Sequence, residues 1–305
     1  MKIGITGASG QFGRQAVKRL LERVAPADLV LVSRSPGKLA EFEAMGCVVR
    51  PGDFDDPAGL VRAFQGVERL LLISGTRVGK RVPQHSAAIE AAKKAGVSHI
   101  VYTSFLGADN PNNRSQAVSD HRGTEAALRA SGLHWTVLRD AQYSDAVTDV
   151  MAHSMVQGGV MRSVAGDGRM PFVCRDDCVD AAVAVLTGKG HENRGYQITG
   201  PDLISYREVG MLIGEFTRQP VRVELTDEAG LYAMFDALGV PRQPIDNADG
   251  AVPWNSDDMV SFEVAVRDGH FAVDSRDFQL LTGRSARSLR SLFEERWVRG
   301  SFVNK

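Results

Sequence analysis

Ile3-Gly4-Ile5-Thr6-Gly7-Ala8-Ser9-Gly10-Gln11-Phe12-Gly13 is the stretch whose reading decides the fold. A short apolar run ends in Thr6, three glycines follow at positions 7, 10 and 13, and a helical pattern takes over. Phe12, Ala16, Val17, Leu20, Leu21 and Val24 recur at three- and four-residue spacing, so one face of that helix is apolar. A glycine pattern alone carries little weight; between a strand and an amphipathic helix it marks a turn built to hold a dinucleotide. Gly7 allows the tight turn, Gly10 lets the backbone approach a pyrophosphate, and Gly13 permits close packing of helix on strand. Free N–H groups and the positive end of the helix then favour phosphate.

Outward from this turn, strand patterns read at 2–6, 28–33, 47–50, 70–74, 99–104 and 135–138. Helical patterns lie between them, one opening at Ser35-Pro36 and stopping at Gly46, others at about 83–96 and 121–132. Alternating strands and helices predict a Rossmann-type α/β fold: a doubly wound parallel sheet with helices on both faces and the ligand at the carboxyl ends of the strands. After residue 140 the alternation weakens. Helices are expected at 177–187, 205–217, 231–238 and 288–297, and strands at 195–199 and 221–225. The expected division is a dinucleotide-binding domain over 1–140 and a smaller C-terminal α/β lobe over 141–305, mainly for substrate, with some segments returning to the sheet. The stretch 246–258, rich in Asp, Asn, Gly and Pro and containing Trp254, reads as a long loop. The Asn- and Ser-rich segment 109–120 reads as a mobile rim.

Composition narrows the function classes. The 305 residues are 43% hydrophobic and 24% charged, an ordinary globular balance. Thirty-six Lys and Arg against 37 Asp and Glu give a net charge of −1, so no global field recruits nucleic acid or an anionic membrane. The longest apolar runs fall far short of the roughly 20 residues that span a bilayer, and no secretory signal is seen. Three cysteines, Cys47, Cys174 and Cys178, form neither a disulfide framework nor a zinc set, which fits a cytoplasmic protein without a metal.

Two positions bear on the cofactor. Where an NAD-binding protein usually carries a ribose-binding acid, this chain has Ser33-Arg34. A guanidinium there pairs with a 2′-phosphate, which favours NADP(H) over NAD. Asp53 and Phe54, after the third strand, fit an adenine-edge contact or, as readily, a turn leading into Asp56-Pro57. A tyrosine followed four residues later by lysine, the usual acid of carbonyl-reducing dehydrogenases, is absent: the residues four places after the five tyrosines are Leu106, Val147, Gly200, Gly210 and Asp236.

These motifs, with Tyr102-Thr103-Ser104, the run from His121 to Glu125, Ser131-Gly132-Leu133 and Leu138-Arg139, resemble the NmrA-like branch of atypical short-chain dehydrogenases, and within it the NADPH-dependent quinone and triphenylmethane reductases. The resemblance is dense to about residue 215. It implies that Thr6, Gly7, Ser9, Gly10, Gln11, Phe12 and Gly13 surround the pyrophosphate and Arg34 the 2′-phosphate. Ser74 and Gly75 would lie along the ribose, Thr103 and Ser104 beside the nicotinamide ribose, and His121 near the nicotinamide. Tyr143 would line the substrate cavity, and His121, Tyr143 and Ser104 are the catalytic candidates. Asp140 departs from the Asn or Pro of relatives and would place an acid at the pocket mouth, where it would disfavour anionic substrates unless Arg139 or a nearby histidine pairs with it.

The expected function is hydride transfer from NADPH to a quinone or similar small electrophile by a monomer or homodimer. Hydride addition to a quinone gives a weakly basic hydroquinone anion, so a strong acid is unnecessary; what the protein must provide is an apolar slot, with Phe105, Leu106 and Tyr143 as the candidate walls. Two rivals share the cofactor motifs: a non-catalytic NADP(H) sensor of the NmrA type, and a reductase or isomerase of a specialised natural product.

Overall fold

The computed structural model describes residues 1–245 and 255–298; Trp254 and most of the expected loop 246–258 lie outside the described residues. Among the described residues twelve strands run in chain order: β1 Ile3–Ile5, β2 Leu29–Ser33, β3 Val48–Pro51, β4 Arg69–Leu72, β5 His99–Phe105, β6 His134–Asp140, β7 Gln142–Tyr143, β8 Val160–Ser163, β9 Arg169–Val173, β10 Arg194–Ile198, β11 Leu203–Ser205 and β12 Arg222–Leu225. Seven of them form one parallel sheet in the order β10-β6-β5-β4-β1-β2-β3. The order reverses beside β1, and at that point the carboxyl ends of β1 and β4 open a crevice. β10 belongs to the late part of the chain and extends the sheet in register with β6, Arg194 opposite Thr136 through Ile198 opposite Asp140. Smaller sheets, β11-β9-β7 and β12-β8, carry the lobe.

The sheet strands are apolar on both faces because helices cover both. On one side α1, Gln11–Leu21, packs against the helix Arg175–Thr187 through Ala16, Val17, Leu20, Cys178, Val179 and Ala182. On the other lie α3, Pro57–Ala63, α4, Arg81–Ala95, and α5, Gln116–Ala130, over Leu70, Leu72, Ile100, Tyr102 and Val137. Successive strand residues face opposite sides. In β5 and β6 this sends Thr103, Leu138 and Asp140 toward the helix Arg175–Thr187, and Tyr102, Ser104, Val137 and Arg139 toward α5, while Phe105 at the strand end packs on His121, Phe262 and Phe271.

Three local expectations need correction. The helix expected over 35–46 is broken into a 3-10 turn, Pro36–Leu39, and α2, Ala40–Ala44. α5 begins at Gln116, five residues before the expected start, because the buried Ser115 hydroxyl accepts from Val118 N–H and caps it. The segment 109–120 is accordingly no loose rim. Its latter part is helix, and Arg122 donates to the carbonyls of Ala108, Asn110 and Asn113 at 3.1, 2.6 and 2.8 Å. The Asp56-Pro57 turn does open a helix, with the Asp56 carboxylate accepting from Gly59 N–H at 3.0 Å.

A buried ion pair ties α5 to the sheet. Glu125 receives Arg139 through two hydrogen bonds, 2.9 and 2.8 Å, and also Ser104 Oγ at 2.7 Å and Arg129 at 2.8 Å. These donors hold the Glu125 carboxyl below its ordinary range despite burial. Glu125→Ala would leave Arg139 buried without its main partner, and such losses cost about 3–5 kcal/mol. The expected outcome is a large drop in thermal midpoint, whereas replacing a surface acid such as Glu41 leaves the midpoint nearly unchanged.

Candidate active site

The crevice at the carboxyl ends of the strands holds a cleft of about 600 Å³. Its first wall is the glycine turn. Gly7 sits at φ +60, the left-handed region, and a Cβ at Gly13 would lie 2.4 Å from the Gly7 carbonyl oxygen, so both positions require glycine. Gly10 has an ordinary φ of −77, and a Cβ there would meet only the Gly7 carbonyl within 4 Å. What a Gly10 side chain would take up is the free space of the cleft. No side chain caps the start of α1, which leaves its first backbone donors directed to a ligand.

Thr6 is fully buried; its hydroxyl donates to Leu71 O and accepts from Ile73 N–H at 3.0 Å, locking β1 to the end of β4. Ser9 and Ser33 share a hydrogen bond of 2.8 Å across the turn. Arg34 is exposed and lines the cleft, and Lys38 lines it four residues later. Asp53 also lines it while accepting from Asp55 N–H at 3.1 Å, so the contact and the turn coexist at one residue. Phe54 sets its ring edge-on to His85 at 5.7 Å. Uncapped amides, glycine turn and exposed cations together fit the phosphates of a dinucleotide.

The middle of the cleft rests on buried histidine. Ser74 N–H donates to Thr103 Oγ1 at 2.9 Å, and Gly75 N–H donates to His85 Nε2 at 2.9 Å. A backbone donor on Nε2 places the His85 proton on Nδ1, which faces Thr124 Oγ1 at 2.9 Å and Tyr102 Oη at 3.4 Å. The Tyr102 hydroxyl then donates to His121 Nδ1 at 2.7 Å, and the neutral His121 carries its proton on Nε2. Burial holds His85 down to about 3 and His121 well below its usual value, so both are neutral at physiological pH.

The structure separates the expected site residues. Thr6, Gly7, Ser9, Gly10, Gln11, Phe12, Gly13, Arg34, Asp53, Phe54, Ser74, Gly75, Thr103 and Tyr143 line the cleft. Ser104, Phe105, Leu106, His121 and Asp140 do not. Ser104 faces α5 and is bonded to Glu125; His121 is buried between Tyr102 and Phe105, with ring centroids 5.7 and 5.8 Å away. Phe105 packs into Phe262 and Phe271, and Leu106 is core. Asp140 lies behind Tyr143, not at the pocket mouth: Tyr143 Oη donates to its Oδ2 at 3.1 Å, and its Oδ1 is buried without a partner. The walls near Tyr143 are instead Ile73, Val78, Pro244 and Ile245.

Sequence reasoning missed Arg175. It starts the helix on the far side of the cleft, donates to Gln11 Oε1 at 2.6 Å, and stands over the Tyr143 ring at 5.7 Å. Asp145 fixes it, accepting from Arg175 N–H at 2.8 Å, and Arg296 holds Asp145 at 2.7 Å. Arg77 and Arg81 also line the cleft, paired with Asp55 and Asp120. Among the described residues no cluster of His, Cys, Asp or Glu could hold a metal ion, and no helix is long and apolar enough to cross a membrane.

A family described as NAD(P)H-binding matches residues 7–187, from the glycine turn through the helix that carries Arg175. The chain belongs to this NAD(P)H-binding family. Among its relatives, Quinone oxidoreductase 2 of Escherichia coli (strain K12) is 33% identical over 94% of this chain and 96% of its own length. The crystal structure of the NADPH-dependent quinone oxidoreductase of that organism complexed with NADPH superposes with a TM-score of 0.86 at 33% identity, covering 96% of this chain and 99% of the other. The triphenylmethane reductase of Citrobacter sp. gives a TM-score of 0.83 at 28% identity, covering 97% and 99%. The likeness to the NmrA-like quinone and dye reductases, read from the motifs, thus extends over nearly the whole chain.

Asp140 offers a test of the site's electrostatics. Burial pushes its carboxyl up to about 7. Between about pH 4 and pH 7 the native state keeps a proton that the unfolded chain has released, so this group lowers stability as pH rises through that window. At 1.36 kcal/mol per pKa unit the cost is on the order of 4 kcal/mol at most. Asp140→Asn is expected to unfold at a midpoint that rises relative to wild type on going from about pH 4.5 to about pH 8; an unchanging difference would place the carboxyl in its ordinary range.

Proposed function

We propose that the protein is an NADPH-dependent reductase that delivers hydride to a quinone or a similarly conjugated electrophile. The observation that carries the reading is the continuity of the cleft: it runs from the cationic end at Arg34 and Lys38, past the glycine turn, to a mostly apolar end at Ile73, Val78, Tyr143, Pro244 and Ile245. When bound, the nicotinamide supplies the hydride. The chain itself supplies the rest. Backbone donors at the start of α1 hold phosphate, with Arg175 facing them from the opposite wall, and Arg34 with Lys38 accounts for a 2′-phosphate. Thr103 holds the strand end at Ser74, and His85 holds Gly75, so the floor of the cleft is rigid before any ligand arrives. The apolar end keeps water away and orients a planar ring, an effect of proximity rather than of a strong acid. His121 supports this floor from behind through Tyr102.

The decisive experiment is NADPH oxidation against a panel of quinones, triphenylmethane dyes and enones. Turnover with at least one uncharged quinone is expected; none across the panel would favour the NADP(H) sensor. Arg34→Ala should weaken NADPH binding about tenfold or more, the loss of a charge-assisted contact, with NADH affinity little changed. Equal losses for both cofactors would remove Arg34 from the 2′-phosphate. Gly10→Val should abolish binding, read by nicotinamide fluorescence, while circular dichroism stays native, since its side chain fills the approach to the amides.

A further inference from the structure

We propose that Asp140 is a positioning residue that sets the direction of the Tyr143 O–H, and that its protonated form turns that hydroxyl into the cleft as hydrogen-bond donor to the oxygen of a carbonyl-bearing acceptor. The proposal rests on the reductase reading above. A phenol has one hydrogen. Facing a carboxylate, which only accepts, Tyr143 must send that hydrogen to Asp140 Oδ2, 3.1 Å away, and the cleft sees only oxygen lone pairs. A carboxyl protonated on Oδ2 donates to Tyr143 instead, and the phenol hydrogen is released toward the acceptor.

The surroundings favour the neutral acid. Asp140 Oδ1 is buried and has no partner, a cost far greater for a charged oxygen than for a neutral carbonyl. Burial is the larger effect: the Cys178 thiol of the helix Arg175–Thr187 and the Tyr143 hydroxyl both donate to the carboxyl and ease its charged form, but from β5 and β10 the register neighbours are the uncharged Phe105 and Ile198. A cation, Arg175, faces the Tyr143 ring and is bound to Asp145 and Gln11. Arg139, adjacent in sequence, points to the opposite face and is held by Glu125. The Asp140 carboxyl, pushed up to about 7, therefore changes state close to neutrality. Its ionisation would also raise the Tyr143 phenol, already high through burial, and weaken it further as a donor.

In the reaction the acceptor gains the hydride pair, and negative charge develops on its oxygen. Tyr143 stabilises that charge by a hydrogen bond without giving up its proton, and the hydroquinone anion takes its proton from water on release. Asp140 touches neither cofactor nor acceptor.

Two measurements test this. With an accepted quinone, kcat of the wild type should fall through about pH 7 to a lower plateau, about tenfold or more down and close to the rate of Tyr143→Phe. Asp140→Asn, whose amide donates permanently, should hold its rate flat from about pH 6 to pH 9, and Tyr143→Phe should be about tenfold or more slower at low pH with no descending limb. An Asp140→Asn variant that keeps the wild-type pH dependence overturns the proposal. The second readout needs neither cofactor nor turnover: isotope-edited infrared spectra of the chain alone. A protonated carboxyl band that disappears through about pH 7, is missing in Asp140→Asn, and changes together with the tyrosine C–O stretch supports the pairing. A carboxyl already ionised at about pH 5.5, or a tyrosine band indifferent to it, overturns it. Absence of quinone turnover in the wild type would sink the reductase reading alone, with the infrared titration still deciding the pair.

Discussion

Adjacent residues of a strand cannot face the same way, and at the carboxyl ends of β5 and β6 this constraint orders everything around the cleft. It separates Arg139 from Asp140. The first enters a fully bonded cluster with Glu125 and Ser104 beneath α5; the second is left among apolar neighbours beneath the opposite helix, with a tyrosine hydroxyl as its strongest partner. Had the two shared a face, the obvious salt bridge would have formed, and the carboxyl would be an ordinary structural anion. The same alternation aims Thr103 at the cleft and Tyr102 at the buried histidines, so one strand both lines the floor and braces it.

The fold was legible because its signals are local and periodic. The glycine turn, the apolar spacing of α1 and the β-branched runs each report on contacts within a few residues, and the parallel sheet follows from their alternation. The glycine-turn end of the cleft was legible for the same reason: residues 6–13 and Arg34 lie beside the strand ends that position them. The edge strand β10 was anticipated only as a segment that returns, since nothing in Arg194–Ile198 itself says which strand it will join.

What sequence could not supply is facing and distance. Ser104, Phe105 and Leu106 follow Thr103 immediately, yet alternation and the turn after β5 send them to α5, to the Phe262–Phe271 cluster and into the core. His121 was expected beside the nicotinamide, at the start of its helix; the five residues of helix before it place it inside, against Tyr102. Arg175 was invisible because its partners, Gln11 and Asp145, lie 164 and 30 residues away, and no local pattern marks such a meeting.

The late arrival of β10 has a consequence for biogenesis. Until residues 194–198 have been made, β6 is the border of the sheet. Its backbone groups are unpaired on one side, and its side chains Thr136, Val137 and Leu138 are among the most buried of the finished protein. A nascent or truncated chain ending within the lobe would therefore present a sticky, apolar border to other chains, the situation in which strands recruit each other across molecules. Closing it requires residues 141–193 to form their own lobe strands and the helix Arg175–Thr187 to settle against α1. The lobe that shapes the apolar end of the cleft is thus also the part that seals the sheet against association.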